Sequence, residues 1–237
     1  MSGQPHPWRN WRHVVKLDPD RPIGNSDLRE LGRIGTDAVL IGGTQGITFE
    51  KSADLLRRLR VQAPNLPVWQ EISSQSSILP DADGYGIPVV LNAGATEWLI
   101  GRHTSAIERY GPLIPWERVV PEGYIVLNPH AAVARLTGAL VPESPQQLAA
   151  YAVAAERIFG MQTLYLEYSG AYGDPQWVGQ VRQATSLHLV YGGGVHSAER
   201  AAEMAALVDT VVVGNVLYEK GIEAVRETVR AVREIRG

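Results

Sequence analysis

Eight short apolar runs recur along the 237 residues, each followed by a polar or amphipathic stretch, and this alternation constrains the fold more than any other feature. The runs are HVVKLD (13–18), DAVLIGG (37–43), LPVWQEI (66–72), IPVVLN (87–92), YIVLN (124–128), TLYLEYS (163–169), HLVYGG (188–193) and TVVVGN (210–215). Several are apolar on both faces, as strands are when helices cover one side and a barrel interior the other. Eight β/α units in a chain of this length predict a (β/α)8 or TIM barrel, with a doubly wound open sheet as the competing architecture. The polar residues favour the barrel. Lys16, Asp18, Gly42 to Thr44, Glu71, Asn92, Asn128, Glu167, the triple glycine and Gly214–Asn215 all fall at the C-terminal ends of runs, where a barrel keeps its chemistry. No composition break divides the chain, so residues 1–237 read as one domain with 1–11 as an N-terminal extension.

One repeat is short. Between the third and fourth runs lies SSQSSILPDADGYG (73–86), too short and too rich in Ser, Asp, Gly and Pro for a helix with its two loops. The third helix is therefore expected to be missing or replaced by an irregular segment. The resulting gap, lined by Trp69, Ile78, Leu79 and Tyr85, either takes an extended apolar ligand or is filled by a loop packed on itself. Elsewhere helices are readable. NSDLRELGRIG (25–35) offers Ser26 as a cap and Gly35 as a stop, and the last segment spaces Ile222, Val225, Val229 and Val232 along one face.

A formal net charge of −3 gives no electrostatic footprint for nucleic acid. The absence of cysteine removes disulfides, thiolate metal sites and cysteine nucleophiles, and fits a cytoplasmic protein. No apolar run has the length of a signal peptide or a membrane span. Trp8 and Trp11, beside a basic start, either touch a membrane surface or pack the N-terminal arm against the domain; packing is the simpler expectation.

Two glycine turns point to a phosphate. YGGGV follows the seventh run and VVVGN ends the eighth, the two places where barrels build a phosphate site with a helix N-terminus. Gly193, Gly194, Gly214 and Asn215 offer main-chain N–H groups there; the alternative is turn chemistry alone. In YLEYSG (165–170), strand periodicity puts Tyr165, Glu167 and Ser169 on one face and Leu166 and Tyr168 on the other. An inward Glu167 needs a use or a partner. It either takes a proton from a substrate hydroxyl or forms a salt bridge with Lys16. Lys16 and Asp18 point the same way off the first strand and suit an anionic ligand with a hard cation such as Mg²⁺; the alternative for Asp18–Pro19 is a turn that ends the strand. IGGTQG (41–46) supplies glycine main chain and the Thr44 hydroxyl to a second phosphate group. The six histidines show no zinc spacing, and no nucleophile elbow, P-loop or early dinucleotide fingerprint appears.

Taken in order, KLDP (16–19), TDAVLIGG (36–43), YLEYSG (165–170), YGGG (191–194) and VVVGN (211–215) resemble the geranylgeranylglyceryl/heptaprenylglyceryl phosphate synthase family over nearly the whole chain. EYSG is similar to the bacterial, heptaprenyl branch. The resemblance implies a modified barrel lacking helix three. It also implies Mg²⁺-dependent transfer of a polyprenyl group from its diphosphate to sn-glycerol 1-phosphate, and a homodimer. Lys16, Tyr165, Leu166, Glu167, Tyr168, Ser169 and Gly170 would contact the glycerol phosphate. Gly194, Gly214 and Asn215 would hold its phosphate, and Asp18 and Thr44 the Mg²⁺. Glu167 would orient the glycerol and accept its proton. Chain length would be set along the open groove and the helix expected at 95–111, where Trp98 is either the bulky residue that shortens the tunnel or simply core packing. The rival readings are a phosphate-binding barrel isomerase and a non-catalytic lipid-phosphate-binding protein.

Overall fold

Each of the eight runs becomes a strand of one closed parallel barrel in the computed structural model, which describes residues 7–72 and 74–235. The strands are β1 (His13–Leu17), β2 (Ala38–Ile41), β3 (Val68–Glu71), β4 (Gly84–Val90), β5 (Val119–Val126), β6 (Thr163–Glu167), β7 (His188–Gly192) and β8 (Thr210–Val213). They pair in sequence order, and β8 closes on β1 through Val14↔Val212 and its neighbours. The helices are α1 (Asn25–Leu31), α2 (Phe49–Gln62), α3 (Gly101–Tyr110), α4 (Ala132–Thr137), α5 (Pro145–Arg157), α6 (Pro175–Ala184), α7 (Ala198–Ala205), α8 (Asn215–Lys220) and α9 (Ile222–Glu234).

Period-two alternation sorts the strand residues into two cores. Leu17, Ile41, Ile125, Leu166 and Leu189 face outward and pack beneath the helices with Leu28, Leu59, Leu148, Val178 and Val225. Val14, Leu40, Trp69, Val120, Tyr124, Tyr165 and Val212 fill the interior. At the strand N-termini this interior is sealed by aromatic rings. Trp8 packs on Trp11 at 5.3 Å and on Trp69 at 5.9 Å, and Trp11 meets Trp69 edge-on at 5.4 Å. Trp8 and Trp11 are buried, so neither faces a membrane; the packing alternative holds.

Between β3 and β4 the helical content of the described residues is one 3-10 turn, Gln75–Ser77. Gln70 holds this segment from the outer face of β3. Its amide donates to Ser77 O at 2.7 Å and accepts from Leu79 N–H at 2.8 Å, while Tyr85 Oη donates to Leu79 O at 2.7 Å. The apolar lining differs from the one expected from sequence. Leu79 and Tyr85 are buried in the outer core, and Trp69 points into the barrel, so of the four residues only Ile78 stays half-open. What remains uncovered is the outer face around β4, where Ile72, Ile78, Ile87, Leu91 and Ile114 are half-buried.

Other boundaries shift for local reasons. β5 begins at Val119 rather than 124, because Pro121 lies on an exposed outward position where it interrupts no packing. β4 runs 84–90, three residues earlier than its apolar run, since Gly84 and Gly86 face inward under Trp69 and Glu122. α1 has Gly24, not Ser26, at its N-cap, and it ends at Gly32, not Gly35. A Cβ on Gly32 would press on Ala63 Cβ at 2.8 Å, so its absence lets α1 and α2 meet. The helix expected at 95–111 divides into a 3-10 turn, Thr96–Trp98, and α3. Among the described residues no helix is long and apolar enough to cross a membrane.

Candidate active site

Ionisable groups collect at the C-terminal half of the barrel interior. Lys16 of β1, Glu71 of β3 and Glu122 of β5 are inward residues of alternate strands, the pattern that forms one layer of a (β/α)8 barrel. Lys16 Nζ donates to Glu71 Oε1 at 2.7 Å and lies 5.8 Å from the Tyr165 ring centroid. The alternative pairing of Lys16 with Glu167 is not made. Burial by itself would lower the Lys16 pKa, but Glu71 and Glu167 together outweigh it and the ammonium is held above its ordinary range.

Glu167 closes β6 and is buried. Its Oε2 accepts from Tyr124 Oη at 2.5 Å, and its Oε1 accepts from Ser169 N–H at 2.6 Å and from the Ser169 hydroxyl. Tyr124 stacks on Tyr165 at 4.9 Å. Burial, reinforced by the Glu167 charge, pushes both phenols well above their usual range, so Tyr124 keeps the proton it donates. Three hydrogen bonds leave about one of the roughly four acceptor positions of this carboxylate for an incoming hydroxyl. Asn128 Nδ2 donates to Ser169 O at 2.7 Å, and Gly170 turns the chain away with φ +80°.

Leu166 and Tyr168 stand apart from this group. Leu166 is fully buried beneath the helices, and Tyr168 packs there against Tyr191 at 5.6 Å. Their side chains do not face the mouth, so any ligand contact from them is through main chain.

The triple glycine has an internal cause. A Cβ on Gly192 would overlap Tyr165 Oη, and one on Gly193 would overlap Tyr168 Cβ. One on Gly194 would come within 2.6 Å of Ala171 C and Tyr172 N. Gly193 and Gly194 also hold φ of +151° and +58°, which disfavour a side chain. The loop after β6 thus lies directly on the loop after β7. Beside them, Gly214 and Asn215 open α8; Asn215 Oδ1 accepts from Arg21 Nη1 at 2.8 Å, and Arg21 stacks on Tyr218 at 3.9 Å. Arg200 donates to Gly194 O at 3.0 Å. Two cations therefore flank the glycine loops.

At the other pole, Asp18 Oδ1 accepts from Asp20 N–H at 2.9 Å, and a Cβ on Gly43 would stand 2.9 Å from that same oxygen. The glycine lets the β2 loop pass against the Asp18 carboxylate, with the exposed Thr44 next in the chain. Among the described residues no cluster of three or more His, Asp or Glu side chains gathers to hold an ion. A single carboxylate beside a hydroxyl-bearing loop fits Mg²⁺ that takes its remaining ligands from phosphate and water.

Glu122, Tyr124, Arg21 and Arg200 were not singled out from sequence. The first two lie before or at the start of the apolar run YIVLN, and extending its alternation backwards through PEGY would have placed Glu122 inward.

A barrel sealed by tryptophan at one end, with its charges gathered at the other, is built as an enzyme of the (β/α)8 class. The sequence pattern of the PcrB family matches residues 6–233, and the chain belongs to that family. It is a prenylglyceryl phosphate synthase, a transferase. A heptaprenylglyceryl phosphate synthase of Brevibacillus brevis is 45% identical over 227 residues, covering 95% of this chain and 97% of the relative. A geranylgeranylglyceryl phosphate synthase of Methanoculleus marisnigri is 44% identical over 229 residues, covering 95% and 98%. The fold matches the (S)-3-O-geranylgeranylglyceryl phosphate synthase of Thermoplasma acidophilum, solved with sn-glycerol-1-phosphate. That likeness has a TM-score of 0.85 at 24% identity over 96% of this chain and 95% of that one.

Proposed function

We propose that the protein joins sn-glycerol 1-phosphate to heptaprenyl diphosphate, forming an ether and releasing pyrophosphate. The observation that carries this reading is Glu167, held by Tyr124 and Ser169 between the Lys16 ammonium and the glycine loops. Lys16, the β6 loop and the openings at Gly194, Gly214 and Asn215 receive the glycerol phosphate, with Arg21 and Arg200 adding positive charge. The free hydroxyl forms a bond to the allylic carbon as that carbon's bond to the diphosphate breaks. The hydroxyl proton passes to Glu167, and the electron pair leaves with pyrophosphate. Asp18 and Thr44 would hold Mg²⁺, which when bound neutralises charge on the departing diphosphate. The half-buried apolar face at Ile78, Ile87, Leu91 and Ile114 supports the reading as a seat for the prenyl chain.

The heptaprenyl preference is supported by the names of several relatives, although relatives named for geranylgeranyl transfer are about equally similar. Trp98 packs against the interior cluster and is covered by Arg102 at 3.7 Å, so it stays a candidate for limiting chain length beside its role in packing. The reaction takes place at the cytoplasmic membrane surface, where so apolar a donor resides. The enzyme acts as a homodimer, a reading supported by Ile158 and Phe159, which leave 77% and 52% of their surface exposed.

The test is extraction of labelled sn-glycerol 1-phosphate into an organic phase, with Mg²⁺ and donors of graded length. Preference for the heptaprenyl donor is the expected result. Preference for geranylgeranyl that Trp98→Ala shifts to the longer donor would keep the reaction and place the limit at Trp98. No transfer with any donor would overturn the reading.

A further inference from the structure

The barrel interior holds a carboxyl that this chemistry does not use. Glu122 is fully buried, and neither of its oxygens has a hydrogen-bond partner. Glu71 Oε2 is likewise buried without a partner, while Glu71 Oε1 takes Lys16. The two carboxyls are brought together by β4. Glu71 is the register partner of Gly86, and Glu122 Oε1 occupies the space that a Cβ on Gly86 would need. Trp8 closes the spot from below, its Cζ2 3.5 Å from that same position. Three buried acceptor oxygens thus lie in one layer whose floor carries the likewise unpartnered Trp8 Nε1–H, an arrangement in which two neighbouring carboxylates repel each other and one shared proton relieves the conflict.

We propose that Glu122 is a positioning residue that stays protonated and donates its O–H to Glu71 Oε2, so that Glu71 turns its other oxygen to Lys16. The charged groups facing Glu122 are Lys16 from β1, Glu71 from β3 and Glu167 from β6, with the neutral phenols of Tyr124 and Tyr165 beside them. Burial raises the Glu122 carboxyl well above its ordinary range; Glu71 adds to this, Lys16 opposes it and Glu167 adds again. With Glu122 neutral, Lys16 and Glu71 form a balanced pair. The ammonium then keeps its remaining protons for an anion at the mouth. This consequence for catalysis rests on the proposed function; the shared proton itself does not.

Infrared spectroscopy tests the proton directly on the intact protein at neutral pH. The wild type is expected to show the carbonyl stretch of a neutral carboxylic acid that Glu122→Gln removes. If the two proteins have the same spectrum in that region, the proposal is wrong. In the transfer assay, Glu122→Met, which keeps the volume and loses the donor, is expected to raise KM for sn-glycerol 1-phosphate roughly tenfold, the loss of about one hydrogen bond, with a smaller effect on kcat. Glu122→Gln, which restores a donor, is expected to recover most of that loss. Equal impairment of the Gln and Met variants, or a Met variant with unchanged KM, would overturn the positioning role. Should the Met variant fail to fold, the infrared comparison still decides the proton. Absence of transfer in the wild type would instead count against the proposed function and leave the infrared result standing.

Discussion

Glu167 accepts hydrogen bonds from Tyr124 and Ser169 before any substrate arrives, and this fixes where its remaining acceptor position points. In the reaction proposed above, a carboxylate oriented in this way is a placed proton acceptor, because its position does not have to be found during the reaction. Glu167→Gln is expected to lower kcat by roughly 10²-fold or more, the usual contribution of a general base, with folding intact by circular dichroism. Tyr124→Phe removes one charge-assisted hydrogen bond and is expected to cost roughly tenfold in kcat. Retention of full turnover by Glu167→Gln would remove it as the proton acceptor. Of these groups, Glu167 was readable from YLEYSG alone. Tyr124 as its partner was not, since the register Tyr124↔Tyr165 exists only once β5 lies beside β6.

At the scale of elements, two loops serve each other. The glycines after β7 are required by the chain segment 168–172 that lies on them, and that segment carries Ser169 and Gly170 into the mouth. Gly194→Ala would place a side chain at φ +58° and against the Ala171–Tyr172 peptide. The expected cost is about 1–3 kcal/mol in urea unfolding, with a raised KM for sn-glycerol 1-phosphate because the β6 loop is displaced. An unchanged KM in a destabilised Gly194→Ala variant would separate the loop packing from ligand binding. The irregular segment after β3 works in a similar way. Gln70 satisfies both a carbonyl and an N–H of that segment, which an ordinary helix would have satisfied for itself.

For the whole molecule, closure of the barrel bottom makes stability depend on pH. His13 starts β1 and is fully buried, with Nδ1 3.0 Å from the Thr36 hydroxyl and Nε2 3.0 Å from that of Thr228 on α9. Burial drives its pKa down to about 3; Asp37 opposes the shift and Arg233 adds to it. The folded protein therefore keeps His13 neutral, whereas the unfolded chain binds a proton below about pH 6.5. Stability from this group is full above that pH and declines as the pH falls toward 3. Between pH 7 and 5 the free energy of unfolding is expected to fall by about 2 kcal/mol through His13. Urea titrations at the two pH values, with His13→Gln as the comparison, check this: the variant should lose that part of the slope.

The sequence by itself determined the eightfold alternation, the irregular third repeat, the strand-end positions of Lys16, Asp18 and Glu167, and the family. These are legible because strand period, turn residues and motif spacing are local properties of the chain. Tertiary structure alone decided that Lys16 pairs with Glu71, that Trp8 and Trp11 seal the barrel, and that the glycine run is shaped by the β6 loop. It also brought Glu122 beside Glu71 across Gly86. Those facts depend on which strands become neighbours and on the stagger between them. Lys16 and Glu71 are 55 residues apart in sequence, and they meet only because barrel closure places alternate strands in one layer.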